Sequence, residues 1–174
     1  MSKPIKIELR RVHFSERLSE ETNAYAAEVY VDGKHVVSVQ NDGHGGCDMQ
    51  RPIPPFTHAD LKALNARIAK DFPHLAIDMS AYGKDPIPAD LEMVCNDLLQ
   101  AHLVERDVKR ALKSKVVFVV DGVVRELRFK GMRTLTPEAL KRGVEQVTQK
   151  YPKAKILNTA PLAEAVAAFR GQCA

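Results

Sequence analysis

Cysteine is sparse: the chain has three, Cys47, Cys95 and Cys173, and no two form a Cys-x-x-Cys pair. Wide, odd-numbered spacing excludes a disulfide scaffold and points to reduced thiols in a cytoplasmic protein. Tryptophan is absent and aromatics make up only 6% of the residues, so recognition of single strands by base stacking has few platforms. No run of about eighteen apolar residues occurs, which excludes a transmembrane helix and gives no reason to expect a membrane partner. The opening Met1 to Lys6 holds no apolar signal core and passes straight into an alternating pattern. With 9 Gly and 10 Pro, the composition is neither collagen-like nor that of a disordered chain. Walker A and G-x-G-x-x-G spacings are missing, and no cofactor is expected.

What is present suits a globular fold. A length of 174 residues with 45% hydrophobic content can bury a core of its own. Alternation over 4–14 switches face at Arg10-Arg11, which predicts a first strand with a bulge. Tyr25, Ala27, Val29 and Val31 share a face of a second strand, and Asp32-Gly33 then leads into Val36 to Val39. Asp-Gly between apolar runs is a strong hairpin signal, because a type I′ turn needs positive φ at both central residues. The N-terminal third therefore reads as a three-stranded antiparallel meander. Thr57 with Asp60 three residues on starts a helix marked by Leu61, Leu64, Ile68 and Phe72. Residues 73–89 form a long connection whose Leu75, Ile77, Met79 and Tyr82 are expected to drape on the core. A long amphipathic helix follows over 89–114, then a second Asp-Gly hairpin over 116–129. Thr136-Pro137 starts another helix, and a last one spans Leu162 to Arg170.

The expected class is α+β: a three-stranded antiparallel meander, then helices, a second β-hairpin and two C-terminal helices. One domain over 1–174 is expected, with the meander and a glycine-rich loop in 1–50, a helical part in 57–114, and the hairpin and last helices in 115–174.

The glycine-rich loop is Asn41-Asp42-Gly43-His44-Gly45-Gly46-Cys47. Closely spaced glycines let backbone N–H groups converge on an anion, which makes Gly43, His44, Gly45 and Gly46 a candidate anion-binding loop. The plainer alternative is a wide turn needing positive φ, capped by Asn41 and Asp42. Asp42, His44 and Cys47 are candidates for hydrolase-like catalysis, since a nucleophile needs a base beside it and a group to orient that base. One loop bringing all three gives proximity without the rigid support such geometry needs. A metal held by His44, Cys47 and His58, with His35, matches no familiar zinc spacing, so no metal is expected. His13, His74 and His102 have no evident role.

The net charge of +4 conceals an asymmetry. Residues 1–104 carry 11 Lys/Arg against 15 Asp/Glu, whereas 105–174 carry 15 against 7. On the long helix Arg106, Lys109, Arg110 and Lys113 fall within about 100° of arc, flanked by Glu105 and Asp107. The following hairpin adds Arg125, Arg128, Lys130 and Arg133, so 106–133 holds nine Lys/Arg against three acids. Clustered cations of this kind fit a phosphate backbone or an acidic protein. A polar helix face rich in Lys and Arg is equally what any solvated amphipathic helix presents.

Three stretches carry a resemblance: Ser19-Glu20-Glu21-Thr22, Val29 to Lys34 with Asn41 to Cys47, and Arg106-Asp107-Val108-Lys109-Arg110-Ala111-Leu112. With Lys155-Ile156-Leu157-Asn158-Thr159 and the ending Phe169-Arg170, they resemble a group of uncharacterised bacterial phage- or plasmid-associated proteins. That resemblance covers most of the chain and implies an accessory protein of a mobile element, with no established activity. The function expected is a small cytoplasmic, non-enzymatic binding protein. Its basic face, Arg106, Lys109, Arg110, Lys113, Arg128 and Lys130, would contact nucleic acid or an acidic protein. The alternatives are the hydrolase-like enzyme and an oligomer that pairs through a sheet edge or its amphipathic helices.

Overall fold

The computed structural model describes residues 4–171, so Cys173 lies outside the described residues. The chain forms two compact units, divided between Gln100 and Ala101. This boundary falls inside a helix, where sequence periodicity runs on unbroken.

In the first unit, β1 (Ile7–Phe14), β2 (Tyr25–Val31), β3 (Lys34–Asn41) and β4 (Met49–Pro52) form one antiparallel sheet in the order β1-β2-β3-β4. Alternation turns Tyr25, Ala27 and Val29 inward, and Val37 and Val39 of β3 are buried with them. Asp32 and Gly33 have φ of 48° and 83°, as the predicted type I′ hairpin requires. The bulge in β1 is also present: register shifts between Arg10 and His13, and Arg11 takes φ 49°.

The sheet has four strands where the sequence predicted three. β4 escaped notice because Met49-Gln50-Arg51-Pro52 has no apolar alternation; it lies at the sheet edge, with Met49 and Arg51 exposed. Proline is tolerated there because an edge strand pairs on one side only.

Helix α1 (His58–Asp71) opens with the full capping box, Thr57 accepting from the Asp60 N–H and Asp60 accepting from the Thr57 N–H. Its Leu64 and Ile68 are buried, as are Leu91, Val94, Cys95 and Leu99 early in α2 (Leu91–Ser114). The start of α2 is held by Asp90 Oδ1, which accepts from the Met93 N–H, and by Asn65 Oδ1 of α1, which accepts from the Leu91 N–H. The connection over 73–89 departs from expectation. Ile77 and Ile87 bridge each other and stay exposed, and Tyr82 is 74% exposed. Ile77 and Ile87 thus satisfy each other's backbone, while Leu75 and Met79 are half-buried.

The second unit is built on β5 (Val116–Val120), β6 (Val123–Leu127) and β7 (Lys155–Ile156), in the order β6-β5-β7. Asp121 and Gly122, at φ 52° and 76°, close the predicted hairpin. β7 extends it to three strands, an addition too short to show in the sequence pattern. Pleating sorts the side chains into two cores. Val117, Val119 and Val124 pack with Val108 and Ala111 of α2 and with Leu162, Ala165 and Val166 of α4 (Leu162–Arg170). Val116, Phe118 and Leu127 pack with Leu140, Val144 and Val147 of α3 (Pro137–Lys150). The unit is therefore a helix–sheet–helix sandwich. Asn158 joins its layers: Oδ1 accepts from the Val117 N–H at 2.7 Å, and Nδ2 donates to the Leu112 and Lys115 carbonyls. Among the described residues no helix is long and apolar enough to cross a membrane.

Candidate functional site

The glycine loop joins β3 to β4 and folds back on the segment between β1 and β2. Gly43 is its anchor. Its carbonyl accepts the N–H groups of Glu20, Glu21 and Thr22 at 3.0, 3.0 and 3.3 Å. Gly43 is buried at φ 90°, and a Cβ there would collide with the Leu18 carbonyl oxygen. Asn41 and Asp42 cap the turn, each accepting from the N–H two residues on: Gly43 to Asn41 Oδ1 and His44 to Asp42 Oδ1. The Gly45 N–H donates to Thr22 Oγ1 at 3.3 Å. Three of the four N–H groups proposed for an anion are thus already engaged by side-chain oxygens. An incoming anion has to displace them.

The three candidate catalytic residues divide. Asp42 and His44 line a cavity of about 390 Å³ together with His13, Phe14, Ser15, Leu18, Ala24, Tyr25 and Asn41. His44 is exposed, with Nδ1 3.3 Å from Glu20 Oε2, a partner no sequence spacing announced. Cys47 does not line that cavity. Its thiol bonds to Glu92, and the adjacent carboxylate holds the thiol above its usual range, with burial adding to the effect. A protonated thiol turned toward a carboxylate is not the thiolate that a Cys–His pair requires.

Behind the loop, Asp48 is buried and takes hydrogen bonds from the Tyr25 hydroxyl and from Asn41 Nδ2. The Asp48 N–H donates to Glu92 Oε1 at 3.2 Å. Burial, with Asp48 and Asp90 nearby, holds the Glu92 carboxyl above its ordinary value. This network braces the loop on α2. No three His, Cys, Asp or Glu side chains converge as metal ligands do among the described residues, so His35, His44, Cys47 and His58 are not brought together.

The basic stripe of α2 belongs to the second unit. Its acids sit at the stripe's edges, and they are paired with it: Lys109 to Glu105 at 2.5 Å, Arg110 to Asp107 at 3.0 Å, and Arg106 to Asp107 at 3.1 Å. At the end of the helix Glu126 of β6 accepts from both Lys115 and Arg128, at 2.7 and 3.3 Å. One carboxylate thereby draws the cations after α2 and after β6 together. Lys113 and Lys130 are exposed and have no carboxylate partner among the described residues. Exposed pairs of this kind contribute little, roughly 0–1 kcal/mol each, and exchange readily for other anions.

Sequence reasoning counted Arg125 with the basic cluster of 106–133 and did not pair it with Lys150. Arg125 lies on the α3 face of β6, opposite Phe118, beside Lys150 and Tyr151. Its signal was a cation on the strand face that carries Val123 and Leu127. No family model, no curated protein and no solved structure matches the chain.

Proposed function

We propose that the protein is a non-enzymatic binding protein of mobile-element type whose C-terminal unit grips the phosphate backbone of nucleic acid. Arg106, Lys109, Arg110 and Lys113 on α2, with Arg128 and Lys130 beyond β6, supply the cations. The observation that carries this reading is the state of those cations: Lys109, Arg110, Lys113, Arg128 and Lys130 are exposed, with surface ion pairs or no carboxylate partner among the described residues, and half-buried Arg106 pairs with Asp107. Phosphates replace such partners at small cost, and counterion release from the duplex supplies the driving force. Charge follows the structural division as well. Residues up to Gln100 carry 11 Lys/Arg and 15 Asp/Glu, and those from Ala101 on carry 15 and 7.

Fluorescence anisotropy with a labelled duplex at low salt tests it. Binding is expected, and Arg110→Glu combined with Lys113→Glu abolishes it while the far-UV spectrum stays unchanged. Absence of duplex binding at low salt overturns the nucleic-acid reading and puts an acidic protein partner in its place.

A further inference from the structure

We propose that the C-terminal unit holds a separate small-molecule site, a cavity between β6 and α3 that takes a nucleoside monophosphate. The cavity measures about 530 Å³ and is lined by Phe118, Arg125, Leu127, Gln146, Lys150 and Tyr151, with Glu126 and Val147 completing it. That size lies within the range of ordinary ligand pockets. It opens on the α3 face of the sheet, whereas α2 packs on the other face.

Two cations share one aromatic ring there. The Arg125 guanidinium carbon is 5.6 Å from the Tyr151 ring centre, and Lys150 Nζ is 5.4 Å from it. Neither has a carboxylate partner among the described residues. Each cation lies beside that ring, which neutralises neither. A phosphate does what the ring cannot, accepting from the guanidinium and the ammonium together. The one carboxylate in the lining, Glu126, is occupied by Lys115 and Arg128, so it does not repel the phosphate.

The rest of the cavity fits a base. Phe118, Leu127 and Val147 give an apolar floor, with the Phe118 ring centre 5.8 Å from that of Tyr151. The Gln146 carboxamide offers a donor and an acceptor side by side, the pairing that a nucleobase edge presents in return. A phosphate on the two cations and a base on the apolar lining together fit this one pocket, which matches a mononucleotide rather than an inorganic anion.

Isothermal titration of the full chain with adenosine 5′-monophosphate, adenosine and inorganic phosphate reads this directly. The monophosphate is expected to bind about tenfold or more tighter than either fragment. Arg125→Gln and Lys150→Gln should each weaken it by about tenfold, with the melting temperature as a check that these exposed residues leave the fold intact. Arg110→Glu with Lys113→Glu should leave monophosphate affinity unchanged, which separates this site from the duplex-binding stripe. Equal binding of phosphate or of adenosine, no binding of the monophosphate at millimolar concentration, or affinity untouched by both pocket variants would each overturn the assignment.

Discussion

A thiol beside a carboxylate gives up its proton late, and Cys47 stands in that position against Glu92. The negative charge of the Glu92 carboxylate disfavours the thiolate next to it. Alkylation of Cys47 should therefore be slow at pH 8 and rise with a midpoint above that of a free cysteine. Glu92→Gln removes the charge and should speed the reaction several-fold. The measurement is an iodoacetamide rate–pH profile in a Cys173→Ser background, where buried Cys95 contributes little. An unchanged rate in the variant would show that Glu92 does not control the thiol. At this scale the sequence was half legible. Asn41 and Asp42 as turn caps follow from local chemistry, since the side chain reaches a backbone N–H two residues away. Glu20 against His44 does not, nor does Arg125 beside Lys150 and Tyr151, because those partners come from segments far apart in the chain.

Elements with strong local signals formed where the spacing put them. Both Asp-Gly hairpins, the Thr57 and Thr136 caps and the Leu162–Arg170 helix rest on chemistry contained within a few residues. β4 and β7 do not: four and two residues long, they exist by pairing with a neighbour already in place. The exposed connection over 73–89 shows the same limit from the other side, since apolar content alone does not say what a segment touches. Asn158 illustrates how a polar residue can decide an element's position. Its three hydrogen bonds satisfy the Val117 N–H and two carbonyls at the C-terminal end of α2. Losing them leaves partly buried backbone groups unpaired, at roughly 1 kcal/mol each. Asn158→Ala should therefore lower the unfolding free energy by about 2–3 kcal/mol in urea titrations. Asn158→Asp keeps the acceptor for Val117 but sets a carboxylate oxygen against the two carbonyls, and should lose at least as much as the alanine variant. A loss under about 0.5 kcal/mol for the alanine variant would mean that water replaces all three bonds.

Over the whole molecule, charge and structure divide at nearly the same residue. The unit up to Gln100 is net acidic by 4 and the unit from Ala101 on is net basic by 8. Duplex affinity carried by six cations should fall with salt along a log–log slope of about −5. Removing Arg110 and Lys113 from the contact should bring that slope to about −3 to −4, if the milder Arg110→Gln, Lys113→Gln pair is used. A slope near zero in the unaltered protein would rule out backbone contact as the source of affinity.

The outer strands of the first sheet have a bearing on how the protein behaves when concentrated. β1 is kinked by its bulge and carries Lys6, Glu8, Arg10 and Arg11 at or along its length, and β4 is four residues long and ends in Pro52. Neither offers the long, flat, apolar row of free N–H and C=O groups that templates another chain. Stacking of sheets edge to edge, the route to fibres and to strand-swapped oligomers, is obstructed at both ends. That first sheet keeps its backbone to itself and leaves encounters with other molecules to its side chains.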